Sequence, residues 1–104
     1  MADADRHTGG ELAERTRQKA KTPELFRVIL HNDDYTTMQF VIEVLEDIFN
    51  KSPAEAFRIM MQVHQAGHGL CGTYSYEVAE TKVAMVHDRA KEAGFPLRAS
   101  VEEA

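Results

Sequence analysis

The chain has 104 residues, enough for one small domain with a single modest core, and its 43% hydrophobic and 28% charged content is that of an ordinary soluble globular protein. A net charge of −5 argues against a nucleic-acid binder, which would carry a basic patch or stripe. One cysteine, Cys71, excludes an intramolecular disulfide, and no apolar run approaches the length of a membrane span or follows a basic leader, so a cytoplasmic domain is expected.

Residues 1–22 mix five basic with four acidic side chains, include Gly9-Gly10 and have almost no large apolar residue. Such a stretch cannot bury enough surface to offset its ordering entropy. It is expected to be a flexible N-terminal extension, at most with a short helix over Glu11–Lys21, ahead of a folded unit at 23–104. From Pro23 the texture changes. "LFRVIL" (Leu25–Leu30) is short, apolar and β-branched, and predicts a strand buried on both faces. "LHNDDYTTMQF" (Leu30–Phe40) follows, crowded with hydrogen-bonding groups. Then Phe40, Val41, Val44, Leu45, Ile48 and Phe49 recur at helical spacing, with Glu43, Glu46 and Asp47 opposite. Thr36 and Gln39 suit a capping box at the start of this helix.

"NKSP" (Asn50–Pro53) interrupts that helix and opens a second one. Ser52 is the expected N-cap, Pro53 the first helical residue and Glu55 the other half of a capping box, with Gly67 as the stop. "GLCGTY" (Gly69–Tyr74) predicts a second strand. Ser75 caps a third helix from Tyr76 to Ala93, its buried face formed by Ala79, Val83, Val86 and Ala90, with Gly94 and Pro96 ending it. "PLRASV" (Pro96–Val101) predicts a last strand. The order β-α-α-β-α-β points to a two-layer α+β domain, a three-stranded antiparallel sheet packed against three helices.

Three groups of residues have a chemical reading. Asn32-Asp33-Asp34 is a turn, a binding loop or a carboxylate pair for catalysis. Neighbouring residues in an extended segment point to opposite faces, which weakens the catalytic reading, and no second carboxylate is spaced across a cleft. His64, His68 and Cys71 lie close in sequence, as the ligands of a small zinc-dependent hydrolase would. Gln65, however, stands where a zinc-protease signature needs glutamate, and Gly67 should end the helix before His68. "RIMMQVH" (Arg58–His64) puts Met60 and Val63 on one helix face with His64 beside it. The face is either plain core or, with Met38, the wall of a pocket with a polar rim. There is no phosphate-binding glycine loop, no Cys-x-x-Cys pair and no nucleophile elbow, so no enzyme is expected and no cofactor is implied.

"FRVILHNDDYTTMQFVIEVL", "MQVHQAGHGLCGTYSYEVAETKVAMV" and "GFPL" together resemble the ClpS family of bacterial adaptor proteins, over Pro23 to Ala104. The resemblance implies an adaptor of the N-degron pathway. ClpS-like proteins bind substrates that begin with Leu, Phe, Tyr or Trp and hand them to a hexameric ClpA-type AAA+ unfoldase coupled to the ClpP peptidase. By position it implies that Asn32, Asp33, Asp34 and His64 hold the substrate's α-amino group. Leu30, Thr36, Met38, Met60, Val63 and Leu97 would line the side-chain pocket. Glu77, Glu80 and Lys82 would meet the unfoldase's N-terminal domain, and residues 1–22 would be the segment the unfoldase engages during delivery. Neither nucleic acid nor membrane is implied as a partner; a purely structural partner domain of the Clp machine is the remaining alternative. The chain departs from the family pattern at His31, where an apolar residue is common, and at Thr37 and Gln39, which replace a frequent Pro and Glu.

Overall fold

A computed structural model describes residues 24–104; the expectations for residues 1–22 lie outside the described residues. The elements follow the expected order: β1 (Leu25–His31), α1 (Met38–Asp47), α2 (Pro53–Ala66), β2 (His68–Ser75), α3 (Tyr76–Ala93) and β3 (Arg98–Glu103). β1 is the central strand of an antiparallel sheet ordered β2-β1-β3. α3 packs on all three strands, and α2 packs on β2 and α1. The expected two-layer α+β architecture is the observed one.

The core lies between the layers. The apolar stripe of α1 read from the sequence is buried in full, from Phe40 to Phe49, against Val28 and Leu30 of β1, Ile59 and Met60 of α2, and Val86 of α3. Only the middle of β1, Val28 to Leu30, is buried on both faces; Leu25 is exposed and Phe26 half-buried. β2 carries a bulge, because Val28 pairs with Gly72 and Ile29 with Leu70. Cys71 is therefore the extra residue, and it sinks fully into the core.

The boundaries correct several expectations. α1 begins with Thr37, not Thr36, as its cap: the Thr37 hydroxyl accepts from Phe40 N–H at 3.1 Å. Gln39 bonds forward to Glu43 at 3.2 Å and completes no capping box. Ser52 caps α2 through Glu55 N–H, but the Glu55 carboxylate turns to Arg58, which meets it with two N–H groups at 2.8 and 3.0 Å. A guanidinium one turn along offers a bidentate charged partner that a backbone N–H does not match. β3 starts two residues late, at Arg98, since Pro96 has no N–H for the ladder. Ser75 and Gly94 delimit α3 as expected.

Two contacts fasten α3 to the end of α1. Lys82 Nζ donates to the Ile48 carbonyl at 2.7 Å and lies 5.7 and 5.3 Å from the ring centres of Phe49 and Tyr74. Arg89 pairs with Asp47 at 3.1 Å. At the other border of the sheet, His87 Nε2 accepts the outward-facing N–H of Ala99 at 3.1 Å and covers one donor of the β3 edge.

Candidate functional site

The polar run after β1 is organised by Asp33. Its Oδ1 accepts the N–H groups of Tyr35 (2.8 Å) and Thr36 (2.7 Å), and its Oδ2 accepts the Thr36 hydroxyl (2.7 Å). Burial acts to raise the Asp33 pKa, but the bonds from Thr36 and Tyr35 outweigh it and hold the carboxyl below its ordinary value. The backbone of the loop is thus fixed by its own side chain, as Asp does in turns. The N–H of Asn32 reaches across to the carbonyl of Gly67 at 2.9 Å, tying the end of β1 to the end of α2.

Gly67 makes that meeting possible. It is left-handed (φ 91°) and closes α2 through its N–H to Val63 O, so the chain reverses straight from His64 into β2. Two residues on, Gly69 lies directly under α2. A Cβ there would come within 2.8 Å of Val63 Cγ2 and 3.4 Å of the Ile59 carbonyl. The helix approaches the strand this closely only because the position is glycine.

Between the loop and α2 lies a cavity of about 210 Å³. Thr36, Met38, Val41, Met60 and Val63 form its walls; Asn32, Asp33, Asp34 and His64 form its mouth. It is smaller than the roughly 300–1,000 Å³ of sites for drug-sized ligands and suits a single side chain. Three features of the expected site need restating. Leu30 and Leu97 do not line the cavity; both are buried in the core. Val41 does line it, although its helical spacing had marked it only as core. Asp33 lies at the mouth with its oxygens already engaged by its own loop, whereas no hydrogen bond from another described residue reaches the side chains of Asn32, Asp34 or His64. The exposed groups at the mouth therefore comprise an amide oxygen, a carboxylate and an imidazole, all able to accept N–H donors.

The remaining candidates are scattered. His64 ends α2, His68 begins β2 beyond the left-handed Gly67, and Cys71 is buried, its thiol pushed up to about 12 by desolvation. A thiol so protected is no ready thiolate ligand. Among the described residues no three His, Cys, Asp or Glu side chains are grouped to hold a metal ion. Glu77, Glu80 and Lys82 all lie on α3. Glu77 and Lys82 border a shallow depression with Val78, Thr81 and Met85, Glu80 raises the pKa of the Tyr76 hydroxyl, and the Lys82 ammonium is turned inward. Among the described residues no helix is long and apolar enough to cross a membrane.

Fold and site together define a small α+β binding module whose cavity joins an apolar interior to an acceptor-rich mouth. Known proteins of this build match it. Residues 21–100 fit the family model described as ATP-dependent Clp protease adaptor protein ClpS. The ATP-dependent Clp protease adapter protein ClpS of Oleidesulfovibrio alaskensis is 62% identical over 86 residues, 83% of each chain. Its counterpart from Nitratidesulfovibrio vulgaris (strain Miyazaki F) is 52% identical over 103 residues, 99% of each chain. Among solved structures, Agrobacterium tumefaciens ClpS2 bound to L-phenylalaninamide superposes with a TM-score of 0.77 at 40% identity, covering 79% of this chain and 99% of that one. The chain belongs to the ClpS family.

Proposed function

We propose that this protein is an adaptor, not an enzyme. It binds the free N-terminus of proteins that begin with Leu, Phe, Tyr or Trp and delivers them, in the cytoplasm, to a ClpA-type AAA+ unfoldase of the Clp protease. One conjunction carries the reading: uncommitted acceptors on Asn32, Asp34 and His64 ring the mouth of a cavity walled by Met38, Val41, Met60 and Val63. An α-ammonium brings three N–H donors and a positive charge, and charge-assisted bonds to such acceptors are the strong kind. An internal peptide nitrogen brings neither. The mouth thus tests for a chain terminus, while the cavity tests for an apolar side chain. L-Phenylalaninamide, the molecule bound to the solved ClpS2, has the same two parts, a free α-amine and an aromatic side chain.

In this reading Asp33 is a positioning residue that shapes the loop and adds negative charge nearby, and Thr36 closes the wall from the same turn. Burying a Leu or Phe side chain contributes about 1.5–3 kcal/mol, so neither half of the site suffices alone. The α3 surface carrying Glu77, Glu80 and Lys82 is assigned to the unfoldase's N-terminal domain. Residues 1–22 are assigned to engagement by the unfoldase during delivery. Titration of labelled Phe- and Leu-initiated peptides, beside Met-initiated and N-acetylated controls, tests the central assignment. Strong binding to the first two alone is expected; equal binding to all four would overturn it.

A further inference from the structure

Beside the cavity, and sharing Asn32, Asp33 and Asp34 with it, runs a second and more open groove of about 370 Å³. Its other walls are His31, Tyr35, Pro96 and Arg98. His31 and Arg98 are register partners across β1 and β3, so their side chains stand side by side on one face of the sheet. The His31 ring is pinned by a 2.6 Å contact between Nε2 and Ser100 Oγ. Burial, then the nearby Arg98 and His68, lower its pKa against an opposing pull from Glu102, so it stays neutral near neutral pH. Arg98 is left as the cation of the groove.

That cation has no carboxylate partner within ion-pair distance among the described residues. Glu102, on the same face of β3, is paired with Arg27 at 3.1 Å, and the Asp33 oxygens are taken up by Tyr35 and Thr36. The exposed Tyr35 ring flanks the groove on the loop side. Because Asn32–Asp34 is a wall common to cavity and groove, a chain anchored by its first residue at the cavity mouth has the groove directly alongside. An extended chain advances about 3.3–3.6 Å per residue, which brings the next two residues within reach.

We propose that this groove is a second specificity subsite, in which Arg98 selects an acidic side chain at the second or third position of the bound polypeptide. The inference rests on the N-terminal recognition reading above. Asp34 alone would repel an acidic residue so close to the mouth. With the substrate ammonium seated against Asp34, that repulsion is offset and Arg98 decides the preference. His31 supplies a neutral wall that keeps the guanidinium on the groove side, which gives this departure from the family pattern a role.

The test uses fluorescence anisotropy with the full chain and Phe-initiated peptides carrying Glu, Lys or Ala at position two or three, plus N-acetylated Phe-Ala as control. Glu is expected to bind about two- to five-fold more tightly than Lys at one of the two positions, the scale of an exposed ion pair. The margin should shrink with added salt. Arg98→Glu should reverse the order; the Glu-to-Lys ratio is internal to each variant, so a general loss of folded protein cancels. If Phe-Ala outbinds its acetylated form but Glu never exceeds Lys, or the ratio ignores Arg98→Glu, the subsite is overturned while N-terminal recognition stands. Equal binding of the acetylated peptide would overturn recognition itself, and the subsite with it.

Discussion

The two polar clusters of this small domain are built on opposite principles. Around Lys82 every strong group is used internally: the ammonium donates to Ile48 O and lies against Phe49 and Tyr74, while Arg89 holds Asp47. Around the cavity the inner ring is used and the outer ring is not. Asp33 satisfies its own loop, and Asn32, Asp34 and His64 stand exposed with their acceptors unmatched by any described residue. The first arrangement holds helices together; the second holds a loop still and leaves its neighbours' acceptors oriented, which on the proposed reading lowers the ordering cost of binding. Polarity by itself distinguishes neither. What distinguishes them is which hydrogen bonds are left for something outside the chain.

The sharpest break of this contrast is substitution at the mouth. Asp34→Ala or His64→Ala should weaken binding of a Phe-initiated peptide about ten- to hundredfold, the worth of one bond to a charged group, with little change in the melting temperature. Next in size is Gly69→Ala. The new methyl must displace Val63, a stiff β-branched wall residue, so stability should fall by about 1–3 kcal/mol and affinity for Phe more than for Leu. Chemical denaturation with paired peptide titrations reads both.

Lys82→Met tests the other cluster. It keeps the stem over the rings but removes the donor to Ile48 O, and should cost about 1 kcal/mol of stability while peptide affinity is unchanged. The smallest effect is expected in the acid stability of the loop. Asp33 has a folded pKa below its unfolded value, so its contribution is present above roughly pH 4 and is lost as pH falls through the folded value. Protection of the Tyr35 and Thr36 amides, taken relative to the intrinsic exchange rate at each pH, should therefore hold while Asp33 is ionised and fall as it protonates. Asp33→Asn should abolish that step.

Much of this was legible in the sequence because periodicity survives folding. The stripe from Phe40 to Phe49 and the glycine stops at Gly67 and Gly94 needed only local rules. The order of elements followed from them. What escaped depended on neighbours distant in the chain or on choices between adjacent residues. Thr36 and Thr37 are equally good caps on paper; Asp33 decides by taking the Thr36 hydroxyl. Leu30, Leu97 and Val41 are all apolar, and no pattern separates a core leucine from a wall valine until α2 is set against the loop. Gly69 reads as strand punctuation, yet its reason lies in α2. Arg98 drew no notice because its partner in the argument, His31, is met only through strand register.

The hydrogen bond from Asn32 N–H to Gly67 O joins two points 35 residues apart in the chain. It makes the proposed binding site a property of the finished fold. On the proposed reading, a chain still being synthesised presents Asn32, Asp33 and Asp34 well before His64 exists, so it has half a mouth and no cavity with which to seize the exposed N-termini around it. A copy that unfolds likewise lets go of its cargo. Capture and structural integrity are thus one event, and a damaged adaptor falls silent without holding what it carried.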